Sequence, residues 1–248
     1  MMIPIRGLIL CEGESDQVLL GAYLAKQLNL TFKKRLKTNH FEEEPISWYM
    51  DENNRLIGIW NVGGTNFVAA VQKIMHLELI DHLIEAIIVV TDFDDDNAKK
   101  KRPSEIYDAI HNAINIKDYN MEEMLAGINA WHLIKFDGSF SQMNTIKYCY
   151  LLVPMDSQGA LETFMLNALS ENDESRKEVI IQARKFIKDF KSEKYLRKRR
   201  ERIKAELGIS VSVFNPERMF DTMIELINHV DWTKFEQTER QFGILKDI

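Results

Sequence analysis

Cysteine is scarce in this 248-residue sequence: Cys11 and Cys149 stand far apart, and neither has a CxxC partner. Two isolated thiols argue against a disulfide framework or a thiolate zinc site and fit a reducing interior. Both lie in apolar runs, where buried free thiols are expected. No stretch approaches the ~20 apolar residues that span a bilayer. The start, Met1-Met2-Ile3-Pro4-Ile5-Arg6, runs directly into a strand-like segment and lacks the shape of a secretory signal. A cytoplasmic protein without membrane contact is expected. GxxxxGK[ST] is missing, which excludes a P-loop ATPase within this chain, and GxSxG is missing as well. No histidine pair has metal-ligand spacing; His76 and His82 flank a helix end and are read as incidental. There is no internal repeat and no low-complexity linker.

What remains is the composition of a soluble globular protein, 45% hydrophobic and 28% charged, long enough to bury a core without staples. The length suits one large domain, or one domain with a helical annex. The net charge of −6 hides an asymmetry. Residues 1–173 carry 15 Lys and Arg against 25 Asp and Glu, whereas residues 174–248 carry 17 against 13. A cation-using nucleic-acid enzyme would show such an acidic front and basic back, and so would a chain ending in a solvated basic helix.

Gly7–Cys11 (GLILC) is wholly apolar, as in a strand buried on both faces. Glu12-Gly13-Glu14 breaks it, and Ser15 is a suitable N-cap for a helix through Leu28. Residues 31–55 are polar and read as an insertion or hairpin. Leu56–Val62 is the next strand; Gly63-Gly64 ends it, and Thr65 caps a helix to about Glu78. Ala86–Thr91 (AIIVVT) is the clearest strand and runs into Asp92-Phe93-Asp94-Asp95-Asp96. Pro103 and Ser104 open a helix to about Ile116. Strands follow at Ile128–Phe136 and Thr145–Val153. Helices are expected at Ser157–Leu169, at Glu174–Leu207 with a break near Ser192, and from Asn215-Pro216 to about Val230. Alternating strands and helices predict an α/β sandwich with a mostly parallel sheet over residues 1–170, with a helical C-terminal extension over 171–248.

In open α/β sheets, ligands bind at the carboxyl ends of strands. Here the first strand ends in Glu12, with Asp16 four residues later, and Ala86–Thr91 ends in Asp92-x-Asp94-x-Asp96. If the two strands are parallel neighbours, their acidic tips converge. Two carboxylates ~4 Å apart repel by about 4 kcal/mol at an effective dielectric of 20. A hard divalent cation relieves that repulsion and can polarise a phosphate oxygen or activate water. Taken singly, each acid has a plainer role: a helix cap for Asp16, solvated loop residues for Asp95 and Asp96.

LILCEGESD followed by IIVVTDFDDD is similar to the Toprim domain of topoisomerases, bacterial primases and overcoming-lysogenization-defect nucleases. Those domains carry a hydrophobic strand ending in Glu-Gly, then a strand ending in Asp-x-Asp. The resemblance covers roughly residues 5–165. It implies a Toprim-like, Rossmann-like sheet, with Glu12 as general acid/base or metal ligand and Asp92 and Asp94 binding one or two Mg2+ or Mn2+ ions. Asp96 matches a third aspartate found in some members; the glycine that follows it in topoisomerases is Asn97 here. Asn61-Val62-Gly63-Gly64 falls where the family has a glycine-bearing strand end, so Gly13, Gly63 and Gly64 are the implied phosphate-facing loops. Pro154-Met155-Asp156-Ser157-Gln158-Gly159-Ala160-Leu161-Glu162 is similar to a segment of stand-alone Toprim-like proteins of unknown function and resembles the downstream acid of the overcoming-lysogenization-defect nucleases. Glu162 is thereby a second metal ligand, or else a glutamate favoured by a helix N-terminus.

Lys191–Lys204 (KSEKYLRKRRERIK) holds eight basic and two acidic residues. Arg197, Lys198, Arg199 and Arg200, with Lys99, Lys100, Lys101 and Arg102 beside the acidic loop, are the candidate phosphate contacts. On a mostly exposed helix, charge reversal of Arg197, Arg199 and Arg200 is expected to be tolerated. The expected function is a Mg2+-dependent endonuclease-like phosphodiesterase on DNA or RNA, with a link to phage defence implied by the resemblance alone. The alternative is a catalytically inactive Toprim-like regulatory module beside a separate ATPase. An oligomer is compatible with either.

Overall fold

Continuous apolar runs belong to strands covered on both faces, and the runs Gly7–Cys11 and Ala86–Thr91 lie side by side at the centre of the sheet. The computed structural model describes residues 4–34, 41–64, 66–81, 84–114, 127–137, 143–190, 194–218 and 221–248. Thr65, His82, Ser192, residues 115–116 of the helix expected after Pro103, and residues 191–193 of the basic run fall outside the described residues. The strands are β1 Ile5–Cys11, β2 Thr31–Lys33, β3 Ile46–Met50, β4 Leu56–Asn61, β5 Ala86–Asp92, β6 Trp131–Asp137 and β7 Met143–Val153. They form one seven-stranded sheet in the order β2-β3-β4-β1-β5-β7-β6. The central four strands run parallel, with β1 between β4 and β5 and with β5 beside β7. Both edges are antiparallel: β2 and β3 add outside β4, and β6 pairs with β7. The α/β class with a parallel centre is therefore as expected, and the polar insertion supplies one edge.

Side chains of the central strands alternate between two cores. Leu8, Leu10, Ile87 and Val89 face one side, where α2 (Phe67–Asp81) and α4 (Lys101–Ala113) cover them through Phe67, Val71, Ile106 and Ile110. Ile9, Cys11, Ile88 and Val90 face the other, under α1 (Glu14–Gln27) and α5 (Leu161–Leu169). Both cysteines are free and buried. This second core continues into the C-terminal extension: Trp232, Phe242, Leu245 and Ile248 belong to it. Gln241 also donates to the Leu152 carbonyl at 2.8 Å and accepts from Met155 N at 2.8 Å. Among the described residues no helix is long and apolar enough to cross a membrane.

Several helix boundaries differ from expectation for identifiable reasons. α1 starts at Glu14, because Gly13 in extended conformation takes the N-cap position assigned to Ser15. α5 starts at Leu161 rather than Ser157; residues 154–160 cross the tip of β5, where Gly159 N donates to the Phe93 carbonyl at 2.9 Å. The long basic helix is two helices, α6 (Glu174–Asp189) and α7 (Arg199–Phe214). Lys194, Arg197 and Lys198 thus precede α7, and the Lys198 amide is bonded by Glu201 at 2.8 Å, which sets the start there. The last expected helix is a 3-10 turn at Pro216–Arg218 followed by α8 (Met223–His229), which Thr222 caps. A further helix, α9 (Glu236–Phe242), was not expected.

Candidate functional site

The strands next to β1 on its two sides, β4 and β5, are reached by helices on opposite faces of the sheet. That arrangement makes the carboxyl ends of β1 and β5 a topological switch point, the place where open α/β sheets bind ligands. Glu12 immediately follows β1, and Asp92 is the last residue of β5. The expected convergence of the two acidic tips is therefore present.

Glu12 is held by one oxygen. Its Oε1 accepts from Thr91 Oγ1 at 2.6 Å, from Arg102 Nη1 at 2.8 Å and from the Asp92 amide at 3.3 Å. Arg102 also donates to Thr91 Oγ1, closing a triangle. Asp92, 1% exposed, is likewise fixed by one oxygen: Oδ1 accepts from Leu161 N, at the start of α5, at 2.9 Å. The second oxygens of both acids face one guanidinium. Arg200 Nη2 lies 3.1 Å from Asp92 Oδ2 and 3.8 Å from Glu12 Oε2. Glu162, 6% exposed in the first turn of α5, pairs through Oε1 with Lys204 at 3.7 Å, while its buried Oε2 has no hydrogen-bond partner. Asp16 is buried in the first turn of α1.

These carboxylates feel one another. Burial, then the Glu12 and Glu162 charges, push Asp16 up to about 7. Burial, then Asp16 and Glu12, push Asp92 up to about 8, with Arg200 pulling the other way. Asp94 is raised by burial and by Glu12, against Arg200, Arg199 and Arg102. Burial disfavours the Arg200 charge, yet Asp92, Glu12, Glu162 and Asp94 together raise its pKa. Five carboxylates (Glu12, Asp16, Asp92, Asp94, Glu162) thus meet four cations (Arg102, Arg199, Arg200, Lys204), and burial with mutual repulsion favours the protonated form of Asp16 and Asp92.

That protonation has a measurable consequence. Because the folded values of Asp16 and Asp92 lie above the ordinary carboxylate range, the fold keeps protons that the unfolded chain has lost. The stability they contribute is full in acid and is lost as pH rises from about 4 through about 8. In chelator, the melting temperature is expected to fall by about 5 °C or more from mildly acidic to mildly alkaline buffer, at ~2–4 °C per kcal/mol for a chain of this size. Asp92→Asn should flatten that fall. A melting temperature that rises with pH would remove the raised carboxylates from the account.

Other expected site residues lie outside this cluster. Asp96 is exposed in the first turn of α3 (Asp96–Lys99), while Asp95 caps that helix, accepting from Asn97 N at 2.8 Å and Ala98 N at 3.2 Å. Lys99, Lys100 and Lys101 are exposed; Lys99 lies over the Phe93 ring at 4.3 Å and Lys101 pairs with Glu105 at 3.6 Å. Arg102, grouped with them by sequence, instead turns into the acid cluster. Arg197 and Lys198 are exposed, whereas Arg199 donates to the Asp94 carbonyl at 2.9 Å. Gly63 and Gly64 adopt positive φ (+73° and +68°), a turn that glycine makes without strain, and Gly64 N donates to the Glu12 carbonyl at 3.0 Å. Thr91 and the Leu161 amide were not foreseen, and Lys204 was read only as one charge of the basic run; nothing in the local sequence marks their places in the site.

The donor set is hard oxygen, which suits Mg2+ or Mn2+, and the unpartnered Glu162 Oε2 is a buried acceptor awaiting a cation or donor. Among the described residues, no three of the His, Cys, Asp and Glu side chains are grouped as they stand so as to hold one ion. A guanidinium lies between the two strand-end acids instead.

A family model described as a protein of unknown function, DUF3226, matches residues 6–242. The chain is also similar to the crystal structure of a hypothetical protein, PH0156 from Pyrococcus horikoshii OT3. The two share 14% sequence identity over 98% of this chain and 100% of that one, with a TM-score of 0.47. No curated protein matches the chain.

Proposed function

Because the chain belongs to the DUF3226 family, described as proteins of unknown function, we propose its activity from the acid cluster itself: divalent-cation-dependent phosphodiester hydrolysis on nucleic acid. One observation carries this reading. Glu12 Oε2 and Asp92 Oδ2 point toward a shared space at adjacent strand ends, and the unpartnered Glu162 Oε2 lies buried in the same cluster. Carboxylates massed this way are costly without a counter-charge. Glu12, Asp92 and Glu162 would hold the ion, with Asp16 and Asp94 alongside. When bound, a divalent cation there supplies Lewis-acid polarisation of a phosphate oxygen and a more acidic water.

The chain's own residues prepare the geometry. Thr91 and Arg102 fix the Glu12 carboxylate, and the first amide of α5 fixes Asp92, so each presents its second oxygen without needing to reorganise. With three donors on Oε1, Glu12 is better suited to ligand than to base. The exposed Lys99, Lys100, Lys101, Arg197 and Lys198 flank the acids and offer phosphate contacts of the kind that position a nucleic-acid backbone without reading sequence.

A second reading has its own support. Arg102 and Arg200 already neutralise Glu12 and Asp92, as in a module that uses the fold to bind and not to cleave, beside a separate ATPase. Incubating the purified chain with DNA and with RNA across a Mg2+ and Mn2+ series separates the two. Cation-dependent cleavage that chelator abolishes is expected. Neither cleavage nor a calorimetric Mn2+ signal would favour the inactive module.

A further inference from the structure

We infer that Arg200 is an exchangeable counter-ion, which rests on the carboxylates until a divalent cation takes them and then serves as a phosphate-binding residue. The inference builds on the phosphodiesterase reading above and assigns a new role within that site.

The two arginines at the cluster are built differently. Arg102 is 27% exposed, rises from a helix packed on the sheet core, and donates to both Thr91 and Glu12 Oε1. Those bonds use the oxygen that faces the fold. Arg200 is 46% exposed, is the second residue of α7, and touches the opposite oxygens, Asp92 Oδ2 and Glu12 Oε2. It therefore occupies, from the solvent side, the space between the oxygens that Glu12 and Asp92 would offer an ion. A divalent ion carries twice the charge in a more compact form and would compete with a single guanidinium for such oxygens.

Once displaced, Arg200 has a defined alternative. It remains on a helix whose neighbouring Arg199 is tied to the Asp94 carbonyl, so its head stays beside the ion-binding acids. A guanidinium forks onto phosphate oxygens as readily as onto a carboxylate. Cation and nucleic acid would thus each favour the other's binding, and by linkage the effect is reciprocal.

Calorimetry with Mn2+ on wild type, Arg200→Gln and Asp92→Ala, with and without a short phosphorothioate DNA oligonucleotide, tests this. Without oligonucleotide, Arg200→Gln should bind Mn2+ roughly tenfold more tightly than wild type, a coupling within the range usual between linked sites. The oligonucleotide should tighten Mn2+ binding to wild type several-fold and leave Arg200→Gln unmoved. Weaker Mn2+ binding by a folded Arg200→Gln, or undiminished coupling in it, overturns the exchange. If wild type and Asp92→Ala both fail to bind Mn2+, the metal reading itself fails. A second readout needs no stable Gln variant: the Arg200 Nε–H resonance of the wild type, assigned by Arg200→Lys, should shift on saturation with Mg2+. A resonance unmoved at saturating Mg2+ also overturns the exchange.

Discussion

Replacing Asp92 by alanine is expected to weaken Mn2+ binding by at least ~100-fold and to remove cation-dependent cleavage. Altering residues that merely support a metal's ligands typically costs 10–100-fold in affinity, and Asp92 is placed as a ligand itself. Its side chain joins three parts of the site: the end of β5, the first amide of α5 and the guanidinium of Arg200. The effect on the metal-free fold should be small by comparison, because two changes oppose. The Leu161 amide loses its acceptor, a cost of about 1–3 kcal/mol for a buried donor, while the burial and repulsion that hold Asp92 high, and the part of Asp16's rise that comes from its neighbours, are relieved. Calorimetry and differential scanning measurements on the same preparation separate the two effects. Full Mn2+ affinity in the folded alanine chain would end the case for a centre at these strand tips.

Reversing the charge at Arg200 should have the largest effect on stability. The sequence alone suggests that glutamate is tolerated here, as on any solvated helix. In the structure, Arg200→Glu places a sixth carboxylate beside Glu12, Asp92, Asp94, Asp16 and Glu162. Losing one partner of a buried pair costs about 3–5 kcal/mol. With Arg200 half exposed, a discounted loss of roughly 2–4 kcal/mol remains, or roughly 5–10 °C in melting temperature for a chain of this length. Arg200→Gln should be milder, because a neutral amide removes the guanidinium without adding a like charge. Lys185→Glu, on an exposed residue of α6, is the comparison. Equal melting temperatures for the two charge reversals would return Arg200 to the solvated surface.

The strand tips were legible because a local rule governs them. An apolar run ending in an acid marks a strand that stops at solvent, and GLILC-Glu12 and AIIVVT-Asp92 both read that way. That the two strands are parallel neighbours was only a condition of the sequence reading; the structure meets it. Arg200 was legible only as one charge among eight, since its partners sit more than a hundred residues away and are chosen by how α7 packs on α5. Arg102 was misgrouped for the same reason: three of four consecutive basic residues face water, and helical phase alone sends the fourth inward. The start of α1 was misplaced by two residues because Gly13, lacking a side chain to cap with, nonetheless adopts the extended backbone an N-cap needs. The helical elements after Asn215 were blurred because short helices are determined by tertiary contacts, such as those of Trp232 and Phe242 in the second core.

The acid cluster draws on residues 12, 92, 162 and 200, held together by a sheet whose central pairs are all non-local. Loop-closure entropy must be met before such contacts form, and parallel pairing is slow for that reason. Glu162 and Arg200 can join only when α5 and α7 dock on the sheet. If the strand tips pair before that, their carboxylates stand together without the Arg200 guanidinium, and protons or a cation from solution would do its work. Assembly of this molecule would then be a chemical event as well as a mechanical one.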